Sequence, residues 1–196
     1  MKRSDLTEKK IIEAALYLFV RYGYHGTTID DITRRVGLTK GALYSHFSGK
    51  GDLLLRIIDQ YKTEFLDVMT AHVKAFPGNA LAKLHRVISF NSQFALGHQD
   101  LVVFLTFLTN ELKVDVAFET SLKKVYGVYR SFIRQLIKQG IEEGSFYETL
   151  DPDLAALSFI AMVDGIHHQW GLNRKTLNGK KYVSTYRKIF MKGLAK

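Results

Sequence analysis

The sequence predicts an all-α fold, and three observations carry that prediction. Apolar residues recur at helical spacing along nearly the whole chain, and no alternating, strand-like run interrupts them. Only two prolines occur in 196 residues. Many of the glycines follow the last apolar residue of a periodic stretch, the place where a helix stops. About nine helices result: an N-terminal three-helix domain over residues 1–51, and a helical bundle over 52–196.

The first helix is expected over 5–22, with Ile12, Ala15, Leu16 and Phe19 on one face, widened by Ile11, Leu18 and Tyr22, and with Gly23 as its stop. Lys2, Arg3 and Lys10 at its start either reach phosphates or a minor groove, or form a solvated basic tail. The second helix opens on Thr28, whose hydroxyl suits the free N–H groups, with Asp31 three residues on completing a capping box. Ile29, Ile32 and Val36 share its inner face, and Arg34 and Arg35 fall outside. Gly37 suits the left-handed position that ends it.

Thr39 caps the third helix, with Leu38 and Leu43 placed as a hydrophobic staple. Leu43 and Phe47 face inward, which leaves Thr39, Lys40, Ala42, Ser45 and His46 to a partner. Two short helices, a tight turn containing glycine, and small residues at the start of the second helix describe a helix-turn-helix. Small side chains there let a helix N-terminus sit deep in a major groove.

Val36-Gly37-Leu38-Thr39-Lys40-Gly41-Ala42-Leu43-Tyr44-Ser45-His46-Phe47, followed by Lys50 and Leu53-Leu54, resembles the DNA-binding segment of the TetR family of bacterial transcriptional regulators. Where that family usually has Ser or Thr before the lysine and an acid after it, this chain has Gly49 and Gly51, which weakens the cap of the next helix. The resemblance implies double-stranded DNA as partner, with Thr28, Thr39, Lys40, Gly41, Ala42, Tyr44, Ser45, His46 and Lys50 at the interface. Thr39, Lys40 and Ala42 are the base-edge candidates, because Lys40 can donate to guanine and a methyl can touch thymine. Tyr44, His46 and Lys50 match phosphate positions, with Thr28 beside them. The alternative for Tyr44 and His46 is that they finish a small core.

Residues 52–75 form the next helix, with Leu53, Ile57, Tyr61, Phe65, Val68 and Met69 on its buried side and Phe76-Pro77-Gly78 after it. In the family this element links ligand binding to the spacing of the DNA-reading heads. Further helices are expected over 80–97, 99–112, 118–143, 152–170 and 180–194, with Asp151-Pro152 a cap followed by proline at the first helical position. The resemblance makes this bundle a ligand-binding and dimerisation domain for an apolar or aromatic small-molecule effector. Phe65, Met69, Phe90, Phe94, Phe104, Phe107, Tyr126, Tyr129 and Trp170 are its pocket candidates. Leu154 to Val163 is apolar nearly all round, and Tyr182, Tyr186, Ile189 and Phe190 make a stripe on the last helix. In the family the last two helices form a two-fold interface, so Leu154, Leu157, Ala161, Tyr182, Tyr186, Ile189 and Phe190 are the homodimer candidates.

Other functions find less support. No nucleophile motif, Gly-rich phosphate loop or paired carboxylates stand out, so no enzyme is expected. The chain has no cysteine, no leader-like N-terminus and no apolar run long enough to span a bilayer, giving the expectation of a cytoplasmic protein with no cofactor and no membrane partner. His167 and His168 are adjacent, about 100° apart on a helix, which suits a polar spot in an interface or pocket better than a metal site. Net charge is +9; residues 1–56 carry ten Lys or Arg against six acids, whereas 165–196 carry eight and no acid. The N-terminal excess suits nucleic acid. The basic stretch Arg174–Lys196 reads as the solvated face of a dimer helix, or as a membrane-surface or anionic-ligand site.

Overall fold

The computed structural model describes residues 3–108, 116–173 and 175–195, with the side chains of Arg3, Ser4, Phe107 and Leu108 outside that description. The pocket candidate Phe107, the basic side chains of Lys2, Arg3, Arg174 and Lys196, and the end of the helix expected over 99–112 therefore lie outside the described residues. The helices are α1 Arg3–Tyr22, α2 Ile29–Val36, α3 Lys40–Tyr44, α4 Lys50–Tyr61, α5 Val68–Ala75, α6 Ala80–Gly97, α7 Gln99–Leu108, α8 Val116–Glu142, α9 Pro152–Leu172 and α10 Gly179–Leu194. Helix α4 passes into α5 through a wide π-type turn, Lys62–Asp67, that the periodicity did not foretell. Extended pairing among the described residues amounts to an isolated bridge between Phe146 and Ala195.

The chain divides into two compact units: Met1–Lys62 with Asp100–Leu122, and Thr63–Gln99 with Lys123–Lys196. This division falls at 62/63, after α4, whose Leu53, Leu54, Ile57 and Ile58 are all buried and which packs on α1.

In the first unit, α1 to α4 pool their apolar faces. Ile11, Ala15, Leu18 and Phe19 of α1 are buried together with Ile32, Leu43, Phe47 and Leu53. At about 1.5–3 kcal/mol for each large apolar side chain taken out of water, no single helix here is stable without the others. The buried face of α1 centres on Ile11, Ala15 and Leu18, so Ile12 and Leu16 are half-buried and Tyr22 is exposed. Helix α7 adds Phe104, stacked on Phe19 with ring centroids 5.7 Å apart.

The second unit is an aromatic-centred bundle. Phe65 lies 4.9 Å from Phe94 and 6.0 Å from Tyr129, ring centre to ring centre, and Phe159 meets Phe190 edge-on at 5.2 Å. Its helices are capped as the sequence predicts at Asp151, whose Oδ1 accepts from the N–H groups of Asp153 and Leu154 at 2.8 and 3.0 Å. The N–H of Ala80, at the start of α6, donates to Glu143 Oε2 at 2.8 Å. Gly140 is required by packing, since a Cβ there would overlap the fully buried Phe146 ring.

Candidate functional site

The reading head is assembled from local bonds. Thr28 Oγ1 accepts from Asp31 N–H at 3.2 Å while Asp31 Oδ2 accepts from Thr28 N–H at 3.0 Å, the reciprocal box expected there. The Thr28 hydroxyl and then the Thr28 N–H, both donating to Asp31 Oδ2, hold that carboxyl below its ordinary range. Gly37 closes α2 at φ 70°, its N–H donating to Thr33 O, and Thr39 Oγ1 accepts from Ala42 N–H at 3.2 Å to open α3. Helix α3 is a short peg on which Thr39, Lys40, Gly41, Tyr44 and Ser45 are exposed and Ala42 is half-exposed, while Leu43 is wholly buried beneath.

Two of the expected phosphate contacts have other partners. Lys50 Nζ donates to the backbone oxygens of Tyr24 at 2.6 Å and Thr27 at 2.9 Å, and lies 4.3 Å from the centre of the Tyr24 ring. It therefore clamps the α1–α2 connection, and burial lowers its pKa. His46 Nδ1 sits 3.3 Å from Glu8 Oε1, which ties the end of the α3 segment to α1. Exposed cations remain on the outer surface: Lys40 pairs with Asp30 at 2.7 Å, and Arg34 lies 3.6 Å from Asp31. Ser45 Oγ donates back to Ala42 O at 2.8 Å. Gly49 gives α4 no side-chain cap, and the Asp52 carboxylate accepts instead from Ser48 N–H just before the helix at 3.0 Å.

The second unit holds a cavity of about 540 Å³ among α6, the end of α9 and α10. Its lining includes Ile88, Ser89, Asn91, Ser92, Leu96, Val163, His167, Trp170, Lys180, Tyr182, Ser184, Tyr186 and Arg187. Of the pocket candidates, Trp170 lies in it. Phe65, Met69, Phe94 and Tyr129 are core, with Phe90 against Phe65, because the rings fill the space among themselves. Phe104 belongs to the first unit. Tyr126 donates to Asp164 Oδ1 at 3.4 Å beside that core. Burial pushes the Asp164 carboxyl up to about 6 and the His167 imidazole down to about 4. The missed residues carried a signal: Ser89, Asn91 and Ser92 interrupt the apolar faces of α6, where a solid core would want hydrocarbon.

The expected dimer set also divides. Leu154, Leu157, Ala161 and Ile189 are exposed. Tyr186 and Phe190 are buried in their own bundle, and Tyr182, half-buried, lines the cavity. On α10 the inner stripe of large side chains points at α6 and α9 and only Ile189 of the expected set turns outward. Among the described residues no cluster of three or more His, Cys, Asp or Glu is arranged to hold a metal, and no helix is long and apolar enough to cross a membrane.

Residues 11–57 match the family model described as bacterial regulatory proteins, tetR family, and residues 80–191 match that described as BetI-type transcriptional repressor, C-terminal. The fatty acid metabolism regulator protein of Bacillus subtilis is 23% identical over 88% of this chain and 88% of its own. The crystal structure of the MbdR regulator from Azoarcus sp. CIB matches with a TM-score of 0.87 at 28% identity, covering 96% of this chain and 98% of that one. A regulator named FadR from Bacillus subtilis, solved in complex with stearoyl-CoA, shares the fold with a TM-score of 0.82 at 22% identity, over 94% of this chain and 98% of that one.

Proposed function

The chain belongs to the tetR family of bacterial regulatory proteins, a DNA-binding transcriptional regulator, and from that premise we propose that it is a dimeric repressor released from an inverted-repeat operator by a small molecule in the α6–α9–α10 cavity. The observation that carries this reading is the division of labour between units. One presents a capped, exposed peg with a buried base, and the other contains a partly open cavity that its own side chains leave unfilled.

On DNA, Thr39, Lys40 and Ala42 face base edges, and Tyr44 with the N-terminal end of α2 at Thr28 meets phosphates. Lys50 and His46 act by holding the peg in place. A two-fold dimer through the exposed Leu154, Leu157, Ala161 and Ile189 places two pegs in successive major grooves, whose centres are about 34–36 Å apart. The segment Lys50–Ala75, made of α4, the π-type turn and α5, carries the chain through the 62/63 division, and a ligand that changes its tilt changes the spacing of the pegs. A ligand favouring the wrong spacing then lowers operator affinity by linkage. The apolar part of the cavity wall suits an effector with a hydrocarbon or aromatic body, as the stearoyl-CoA bound by the Bacillus subtilis protein has.

The reading is tested by selecting bound duplexes from a random pool at near-physiological salt with competitor DNA. Enrichment of an inverted repeat is the expected result. Binding that enriches no sequence identifies a non-specific basic protein instead.

A further inference from the structure

Resting on the effector reading above, we infer that the cavity of the second unit takes an organic carboxylate with an apolar body, the carboxylate meeting the Tyr186 hydroxyl and the Arg187 guanidinium.

Tyr186 carries the inference. Its side chain is 6% exposed and lines the cavity, and its Oη is the buried side-chain polar atom without a hydrogen-bond partner among the described residues. A buried hydroxyl left unpaired costs about 1–3 kcal/mol, so the fold holds a donor that an incoming acceptor satisfies. Burial raises the pKa of this phenol, which keeps its hydrogen in place. The neighbouring polar group is already engaged: Asn91 Nδ2 donates to Val87 O and to Tyr129 Oη, both at 2.9 Å.

The charge of the lining sets the sign of the ligand. Lys180, Ser184 and Arg187 fall at i, i+4 and i+7 on α10 and all line the space, whereas no carboxylate does among the described residues. His167 stays neutral there at physiological pH and adds hydrogen-bonding capacity without charge. Arg187 can take a carboxylate through two parallel N–H bonds, and one oxygen still accepts from a phenol. Ile88, Val163 and Trp170 supply the apolar wall for the body of the ligand. The basic C-terminal stretch thus includes an anion-binding side that faces inward, alongside its solvated one.

The protein contains one tryptophan, and Trp170 lines the cavity, so intrinsic fluorescence reports occupancy directly. The experiment titrates the full-length protein with decanoate and 4-phenylbutyrate, with decanamide and 4-phenylbutyramide as neutral matches, and with decyltrimethylammonium as the cation. At least one carboxylate is expected to bind about tenfold or more tighter than its amide, and the ammonium weakest. Tyr186→Phe lowers that carboxylate's affinity about tenfold while leaving Tm unchanged or higher, since it removes an unpaired hydroxyl. Arg187→Gln brings the carboxylate and amide affinities together. Equal binding of acid and amide, no binding of either acid, or carboxylate affinity indifferent to both variants overturns the inference. So does decanoyl-CoA binding that outcompetes decanoate and ignores Tyr186→Phe, which assigns the anion to the carrier's phosphates. An inverted repeat selected by a protein that rejects both acids leaves the repressor reading standing without this one. Carboxylate binding that leaves operator affinity unchanged does the reverse.

Discussion

The two compact units differ in how far apart in sequence their decisive contacts lie. In the reading head the bonds that set the ends of its short helices are close: Thr28 with Asp31, Thr39 with Ala42, Ser48 with Asp52, whereas those that seat the peg, Lys50 with Tyr24 and Thr27 and His46 with Glu8, are long-range. In the body they are distant: Ala80 with Glu143, Asn91 with Tyr129, Tyr126 with Asp164, Phe65 with Tyr129. A short-range bond is written in a few consecutive residues, whereas a long-range one depends on how whole helices pack. The caps and turn of the head are therefore locally specified while its seating on α1 is not, and the body is a packed vessel whose shape no short motif states.

The contrast can be broken hardest at Gly140. Alanine there displaces the buried Phe146 ring and is expected to destabilise the body on the order of 3 kcal/mol, read as a shift of the denaturant midpoint. Next comes pH. Asp164 has its pKa raised to about 6, so its contribution is present at low pH and is lost as pH rises through about 6. His167 has its pKa lowered to about 4, so its contribution is present above 6.5 and is lost as pH falls toward 4. The two slopes oppose each other between pH 4 and 6. Asp164→Asn keeps the Tyr126 hydrogen bond and leaves the His167 slope alone, so stability of this variant is expected to rise by on the order of 2 kcal/mol from pH 4 to 6.5. Thermal unfolding across that range checks the sign, and a falling curve contradicts it.

Smaller effects belong to the head. Lys50→Met removes the donor to Tyr24 and Thr27 and is expected to destabilise by about 1.5 kcal/mol, lowering Tm in the absence of DNA. Thr39→Ala loses a cap worth about 1 kcal/mol. Lys40→Ala breaks an exposed ion pair and leaves Tm in place, yet relaxes the base preferred at one operator position when the selection is repeated with the variant. A stability loss for Lys40→Ala larger than for Lys50→Met reverses the assignment of the two lysines.

Much of the architecture was legible. The limits of α1, α2, α6, α9 and α10, the start of α3 and the outer ends of the α4–α5 segment follow capping residues, glycines and proline at or within two residues of the expected places, as Thr28, Gly37, Thr39 and Asp151 illustrate. What could not be read is which apolar residues turn toward which neighbour. Phe65, Phe94 and Tyr129 have the composition of a pocket wall and close into solid core, while Tyr182 and Tyr186 have the spacing of an interface stripe and line the cavity. Lys50 sits at a phosphate-like position in the motif, but the two carbonyls it meets come from residues 23 and 26 positions earlier. A single sequence shows periodicity, and partner choice across the bundle depends on packing it does not display.

The central claim is that occupancy of the body and affinity of the head are linked. It is tested most directly by measuring operator binding by fluorescence anisotropy against increasing decanoate, and decanoate binding by Trp170 fluorescence with and without operator. Reciprocity requires both affinities to fall by the same factor, expected between about 5-fold and 150-fold. Decanoate that saturates the Trp170 signal while operator affinity stays constant contradicts the account.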